Sequence, residues 1–241
     1  EKMKKTKVRF GEIIADLYYN QSKNNKKIII FCAGIPGRWD YEQFAQKFVS
    51  EGFIFLHPKY IGTWESDGVF SIANCKKTLK KVISGLKKGI MDIFYNNIDI
   101  PFKKIFLMGH SFGGSRALAV GATSNVDGII SLAPITDYRK HNSKRSISEE
   151  NLEELLEYLQ KGFKNIFRGL TKDDWLYFCK TGDKINPIDF LENLKGKNIF
   201  LAHGKLDDSV NFLKTREFYL KLKDGKKVVY FEHSKADHSS V

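Results

Sequence analysis

Apolar residues in this chain fall into two recurring patterns. Short continuous runs, Ile28-Ile29-Ile30-Phe31-Cys32-Ala33, Phe53-Ile54-Phe55-Leu56, Ile105-Phe106-Leu107-Met108, Gly128-Ile129-Ile130-Ser131-Leu132, Ile199-Phe200-Leu201-Ala202 and Val228-Val229-Tyr230-Phe231, read as strands, the first two as buried ones and the first with the form of a strand covered on both faces. Between them, apolar positions recur at helical spacing. Tyr41, Phe44, Ala45, Phe48 and Val49 form one stripe, opened by Asp40 with Gln43 three residues on and stopped at Gly52. A longer stripe, from Ile72 through Leu79 and Leu86 to Phe94, predicts one lysine-covered helix over 71–96, weakened at Gly85 and Gly89. Further helices are predicted over 113–123 and 209–222. Residues 8–19 alternate loosely and read as one or two antiparallel edge strands, and 20–27 as a polar turn.

The pattern changes between Asp137 and Lys197, where no buried-strand run occurs. Helices are predicted over 148–167, with a Ser-x-x-Asn opening, and over 171–180, opened by Thr171 and Asp174. Leu152, Leu155, Leu156 and Leu159 form a stripe, and Phe163, Phe167, Trp175, Tyr177 and Phe178 add aromatic mass. That length and aromatic load favour a lid over plain core-covering helices.

The chemistry centres on Gly109-His110-Ser111-Phe112-Gly113, which follows an apolar run and precedes a helical pattern. Strand, tight turn and helix in that order would hold Ser111 proud of the sheet edge. Gly109 and Gly113 leave room for the strand and helix to approach, and the Phe112 N–H at the helix start is placed to bind an oxyanion. This stretch resembles the nucleophile elbow of the α/β-hydrolase superfamily. The resemblance implies an α/β-hydrolase fold: a central, mostly parallel sheet flanked by helices, with core residues 1–137 and 198–241 and a helical cap inserted at 138–197.

The superfamily carries its triad in the order Ser, Asp or Glu, His. Asn186-Pro187-Ile188-Asp189 looks like the Ser-Pro-x-x segment of dienelactone-hydrolase-like and prolyl-oligopeptidase-like members, and His203-Gly204-Lys205-Leu206-Asp207-Asp208-Ser209-Val210 is similar to their acid loop, which assigns the acid to Asp207, with its neighbour Asp208 as the rival and His203 and Gly204 as turn residues. Two histidines compete for the base. His233 directly follows the last strand, whereas His238, in Asp237-His238, stands several residues further on, where the family places it. Ala33-Gly34-Ile35 looks like the stretch that supplies the second oxyanion donor, which the resemblance puts on the Ile35 N–H. The 58–68 loop is similar to the family's Tyr-Arg-Gly-x-Gly-x-Ser loop, with Ile61 for the Arg and Trp64 for the second Gly. Tyr60 and Trp64 from that loop, and Trp175 and Phe178 from the cap, are candidates to line the substrate pocket. Whether the chain continues with the family's usual helix beyond Val241 stays open.

Composition changes this picture little. The 241 residues suffice for one domain with a full core, and no apolar run approaches the ~20 residues of a membrane span. A net charge of +12 raises the question of an anionic partner, yet the lysines are scattered along the chain with no binding motif beside them, so no nucleic-acid binding is expected. Cys32, Cys75 and Cys179 are odd in number, far apart and set among apolar residues, which favours buried thiols in a reducing, cytoplasmic setting over disulfides or a metal site. The resemblance implies no metal and no cofactor. It implies hydrolysis of a small carboxylic ester through an acyl-enzyme, with a second copy of the chain as an optional partner. A small serine peptidase, an acyl thioesterase and a non-enzymatic binding protein remain as alternatives.

Overall fold

The structure, a computed structural model, describes residues 3–21, 27–141, 151–223 and 227–241. Strands β1 (Lys4–Phe10) and β2 (Ile13–Tyr19) form a hairpin. They are followed by β3 (Lys27–Cys32), α1 (Glu42–Ser50), β4 (Phe53–Pro58) and α2 (Ile72–Leu86). A short hairpin of β5 (Ile90–Met91) and β6 (Asn97–Ile98) comes next, then β7 (Lys104–His110), α3 (Phe112–Ala122) and β8 (Gly128–Leu132). The helical stretch holds α4 (Tyr138–His141), α5 (Leu152–Gly162), α6 (Lys172–Thr181), a 3-10 turn (Pro187–Phe190) and α7 (Leu191–Leu194). The chain closes with β9 (Ile199–Gly204), α8 (Phe212–Leu222) and β10 (Val228–His233).

One eight-stranded sheet runs in the order β1-β2-β4-β3-β7-β8-β9-β10. From β4 to β10 every neighbouring pair is parallel, and β2 joins β4 antiparallel with Asp16 opposite His57. The apolar runs sit at its centre because parallel strands are covered on both faces. Ile28, Ile29 and Ile30 are fully or almost fully buried. On one face α1 lays Phe44 and Phe48 against Phe31 and Phe55, with ring centroids 5.1 to 5.8 Å apart across the set. The helix α3 is buried along its whole length. The last apolar run behaves differently, because β10 is an edge strand: its residues alternate, and Val229 and Phe231 stay exposed.

The predicted helix over 71–96 is shorter than its stripe. It is capped by Ser71, whose side chain accepts from the Asn74 N–H at 3.1 Å, and it ends at Leu86. Gly89 takes φ +109°, a conformation closed to other residues, and the chain turns into the β5–β6 hairpin. Ile90 still packs in the core, but Phe94 stands exposed at the hairpin turn, so the stripe ran past the helix that started it. The other helices shift by a few residues. Asp40 lies outside α1 and accepts the Glu42 N–H at 2.8 Å, and α8 begins at Phe212 with Asn211 as its cap. Thr171 accepts from the Asp174 N–H at 3.1 Å, and α6 stops at Gly182, φ +74°. The predicted Ser148 opening and most of the 20–27 turn lie outside the described residues. Cys32, Cys75 and Cys179 are buried, and none of them forms a disulfide among the described residues.

Candidate active site

Strand β7 ends at His110 and α3 begins at Phe112, so Ser111 alone makes the turn between them. It does so at φ 57° and ψ −124°, a region a residue with a Cβ enters only under strain. The surroundings fix that conformation. The Ser111 N–H donates to Leu132 O at 2.8 Å, and the Ser115 hydroxyl ties the helix to Ile135 O at 2.6 Å. The glycines on either side are required by contact. A Cβ on Gly109 would stand 2.2 Å from Gly113 O, and one on Gly113 would stand 1.9 Å from Cys32 O. Phe112 opens the helix, so its N–H has no intrahelical acceptor.

The loop after β3 packs onto this turn: a Cβ built on Gly34 would lie 3.9 Å from Ser111 Cβ. Gly34, Ile35, Arg38, Ser111 and His238 line a single cavity of about 450 Å³. Phe31 from β3 and Tyr41 and Phe44 from the start of α1 supply its aromatic wall.

Asp207 lies in the loop after β9 and uses both carboxylate oxygens. Oδ1 accepts the N–H groups of Ser209 and Val210 at 2.9 and 2.7 Å. Oδ2 accepts from His238 Nδ1 at 2.8 Å and from His203 Nε2 at 2.9 Å. Burial alone would raise the Asp207 pKa, but the bonds from His203, His238 and the Val210 N–H outweigh it and hold the carboxyl well below the usual carboxylate range. With Nδ1 of His238 donating to Asp207, Nε2 is left with the lone pair, the arrangement a general base needs. His203 is buried, with Nδ1 2.9 Å from the Thr215 hydroxyl, which leaves Nε2 as its donor toward Asp207. His110 braces His238 from the other side. Its Nε2 donates to the His238 carbonyl at 2.5 Å, and the two rings lie 4.7 Å apart. Burial, then the neighbouring His238, brings the His110 pKa down to about 4, so this imidazole is a neutral donor.

The rival residues sit elsewhere. Asp208 is exposed, and His233 is exposed at the end of β10, where its carbonyl accepts the Lys205 N–H at 2.9 Å. Four residues expected to line the substrate pocket are absent from the cavity lining. The Tyr60 hydroxyl is buried and donates to Ala33 O at 2.9 Å. Trp64 borders a separate, much smaller hollow with Tyr60 and Phe167, and its carbonyl accepts from Arg168 Nη1 at 2.9 Å. Trp175 is buried and donates from Nε1 to Leu152 O at 2.6 Å. Phe178 packs on Tyr138, with ring centroids 4.5 Å apart, and on Phe112 at 6.0 Å. Among the described residues, none between 151 and 194 lines the cavity. Trp175 thus ties α6 to α5, and Phe178 packs α6 against Tyr138 and against Phe112 of α3. Trp175→Ala is therefore expected to remove ~3–5 kcal/mol of stability while leaving the relative kcat/KM of short and long acyl esters unchanged. Thermal melting beside an ester-chain-length series checks both halves, and a changed series would return Trp175 to the pocket.

The chain pattern did not single out Phe31, Tyr41 or Phe44 as pocket residues, because each also fits a strand or helix stripe. His203 had a signal: it stands four residues before Asp207, within reach of it if the loop turns back. Among the described residues no group of three or more His, Cys, Asp or Glu side chains gathers to hold a metal ion, and no helix is long and apolar enough to cross a membrane.

Sheet order, serine turn and helix layers together make this an α/β-hydrolase fold. The chain belongs to the chlorophyllase family, whose sequence profile matches residues 19–144, just over half of its length. No curated protein sequence matches it. Among solved structures it is similar to Est1E from Butyrivibrio proteoclasticus, with 15% identity and a TM-score of 0.67 over 98% of this chain and 90% of that one. It is also similar to the Pyrococcus furiosus esterase Pf2001, with 18% identity and a TM-score of 0.65 over 98% and 82%. A third likeness is to Pyrococcus horikoshii acylaminoacyl peptidase, at 16% identity and a TM-score of 0.64; it takes in 99% of this chain but only 38% of that one.

Proposed function

We propose that the protein is a serine hydrolase that cleaves a small carboxylic ester through an acyl-enzyme. The observation that carries this reading is the Asp207–His238 bond of 2.8 Å, made beside a cavity that His238 shares with the strained Ser111. In this reading Ser111 Oγ attacks the ester carbonyl and His238 Nε2 takes its proton. Asp207 fixes the imidazole tautomer and stabilises the imidazolium. The N–H groups of Phe112 and Ile35 hold the oxyanion. His238 then returns the proton to the leaving alcohol, and a water repeats the sequence to release the acid. No step calls for a metal or a cofactor.

The wall of Phe31, Tyr41, Phe44 and Leu132 supports an apolar or aromatic acyl group. The two similar esterases, Est1E also solved with ferulic acid bound, are consistent with that chemistry. The test is a panel of p-nitrophenyl esters of graded chain length, one aryl ester, a thioester and an acylaminoacyl anilide, run beside fluorophosphonate labelling. Ester turnover well above the anilide and thioester, with labelling at Ser111, is the expected outcome. Preference for the anilide would make the protein a peptidase, and a thioester preference a thioesterase. Neither labelling nor turnover would make it a binding protein.

A further inference from the structure

A second group of buried ionisable residues lies behind the loop that carries Ile35. Asp16 on β2 and His57 on β4 face each other in the sheet, and Lys59 follows β4 directly. All three are buried, and so is the hydroxyl-bearing Tyr60 next to them. An ammonium group has three N–H donors, and each of those of Lys59 is used. One goes to Asp16 Oδ2 at 2.8 Å, one to His57 Nδ1 at 2.8 Å, and one to the carbonyl of Trp39. Burial, followed by the nearby Lys59 and Lys7 charges, keeps His57 neutral and able to accept. The second oxygen of Asp16 is taken by Lys7 at 3.1 Å.

Burying such a group is expensive, and an apolar set of the same volume would serve packing as well or better. The third Lys59 bond separates this cluster from mere core filling, because Trp39 belongs to no strand or helix. It closes the loop after β3 at one end. The very next residue closes the other end, through the Tyr60 hydroxyl on Ala33 O. Between these two carbonyls lie Gly34, Ile35, Pro36, Gly37 and Arg38, all of which line the cavity with Ser111.

We infer that Lys59 and Tyr60 are positioning residues that clamp the two ends of the 33–39 loop, with Asp16 and His57 holding Lys59, and that they fix the Ile35 N–H where the oxyanion forms. This rests on the serine hydrolase reading above. A donor misplaced by about 1 Å loses on the order of 100-fold in rate while ground-state binding barely changes. Lys59 and Tyr60 are absent from the lining of the cavity that holds Ser111, so their effect belongs on kcat.

The test compares wild-type protein with Asp16→Leu/Lys59→Met, which removes both charges together and leaves neither buried alone, and with Tyr60→Phe, which deletes one hydroxyl. Two readouts are taken: kcat and KM on the best p-nitrophenyl ester, and backbone amide exchange of the 33–41 segment. We expect a folded double variant with kcat down on the order of 10–100-fold, KM within about 3-fold, and faster exchange confined to that segment. Tyr60→Phe should move both readouts the same way by a smaller factor. Unchanged kcat, unchanged exchange, or a loss that falls on KM overturns the clamp. Where the double variant does not fold, Tyr60→Phe decides by the same criteria. A wild-type protein without turnover refutes the hydrolase reading instead, and exchange then still reports whether the loop is clamped.

Discussion

Ser111→Ala should fold, melt close to the wild-type temperature and lose about 10⁴-fold or more in kcat. The two halves of that expectation have separate physical causes. The structural bonds of this residue run through its backbone: its N–H to Leu132 O and its carbonyl to the Ser115 N–H. Alanine keeps both. It also meets the same strain at φ 57°, since that strain comes from Cβ, which both residues carry. Turnover, in contrast, needs the oxygen that alanine lacks. Groups of this kind act as a unit, so removing the nucleophile leaves only what the oxyanion donors and substrate binding supply. A melting curve, steady-state kinetics and fluorophosphonate labelling on one preparation suffice. Residual activity near the wild-type level would remove Ser111 from the mechanism, whatever the geometry around it.

What the chain pattern reveals and what it hides follow from the range of the interactions involved. The serine turn is legible because close backbone approach dictates it: a Cβ on Gly109 would meet Gly113 within the same turn, and one on Gly113 would meet Cys32 at the end of the neighbouring strand β3. The acid loop is legible for a similar reason, since Asp207 is bound by the N–H groups of Ser209 and Val210, two and three residues away. Central strands show as apolar runs because both faces of a parallel sheet are covered. Contacts set by tertiary packing leave no such mark. Trp175 and Phe178 look like a pocket wall because large aromatics serve cores and pockets alike, and only the packing of α6 against α4, α5 and Phe112 assigns them to the core. Phe31 and Phe44 carry the opposite ambiguity: they match a strand and a helix stripe, yet border the cavity. Lys59 reads as an ordinary loop lysine, because its partners Asp16 and Trp39 lie 43 and 20 residues away. Gly89 ended α2 earlier than the hydrophobic stripe suggested, because periodicity records which side faces the core and not whether the backbone is still helical.

Asp207→Asn is expected to lower kcat by about 10⁴-fold, while Asp208→Asn changes it by no more than about 3-fold. Asp207 accepts four hydrogen bonds, two on each oxygen, and an amide has one oxygen to offer. If that oxygen keeps the Ser209 and Val210 N–H groups, the NH₂ faces the two histidines. His238 must then accept at Nδ1, which moves its proton to Nε2, where it blocks transfer from Ser111. Asp208 is exposed and touches neither histidine, so its charge is screened and its loss is felt only weakly. Stability should follow the acid as well. The Asp207 carboxyl titrates below the usual range when folded and near 3.9 when unfolded, so its contribution is complete above about pH 4 and fades as pH falls through the depressed value. Wild-type protein should therefore melt above Asp207→Asn at pH 7, and the gap should narrow below pH 4. Reversed kinetics in the two variants would shift the acid to Asp208. A melting gap that does not change with pH would mean that Asp207 stabilises the loop by hydrogen bonds that an amide cannot replace, and not through its charge.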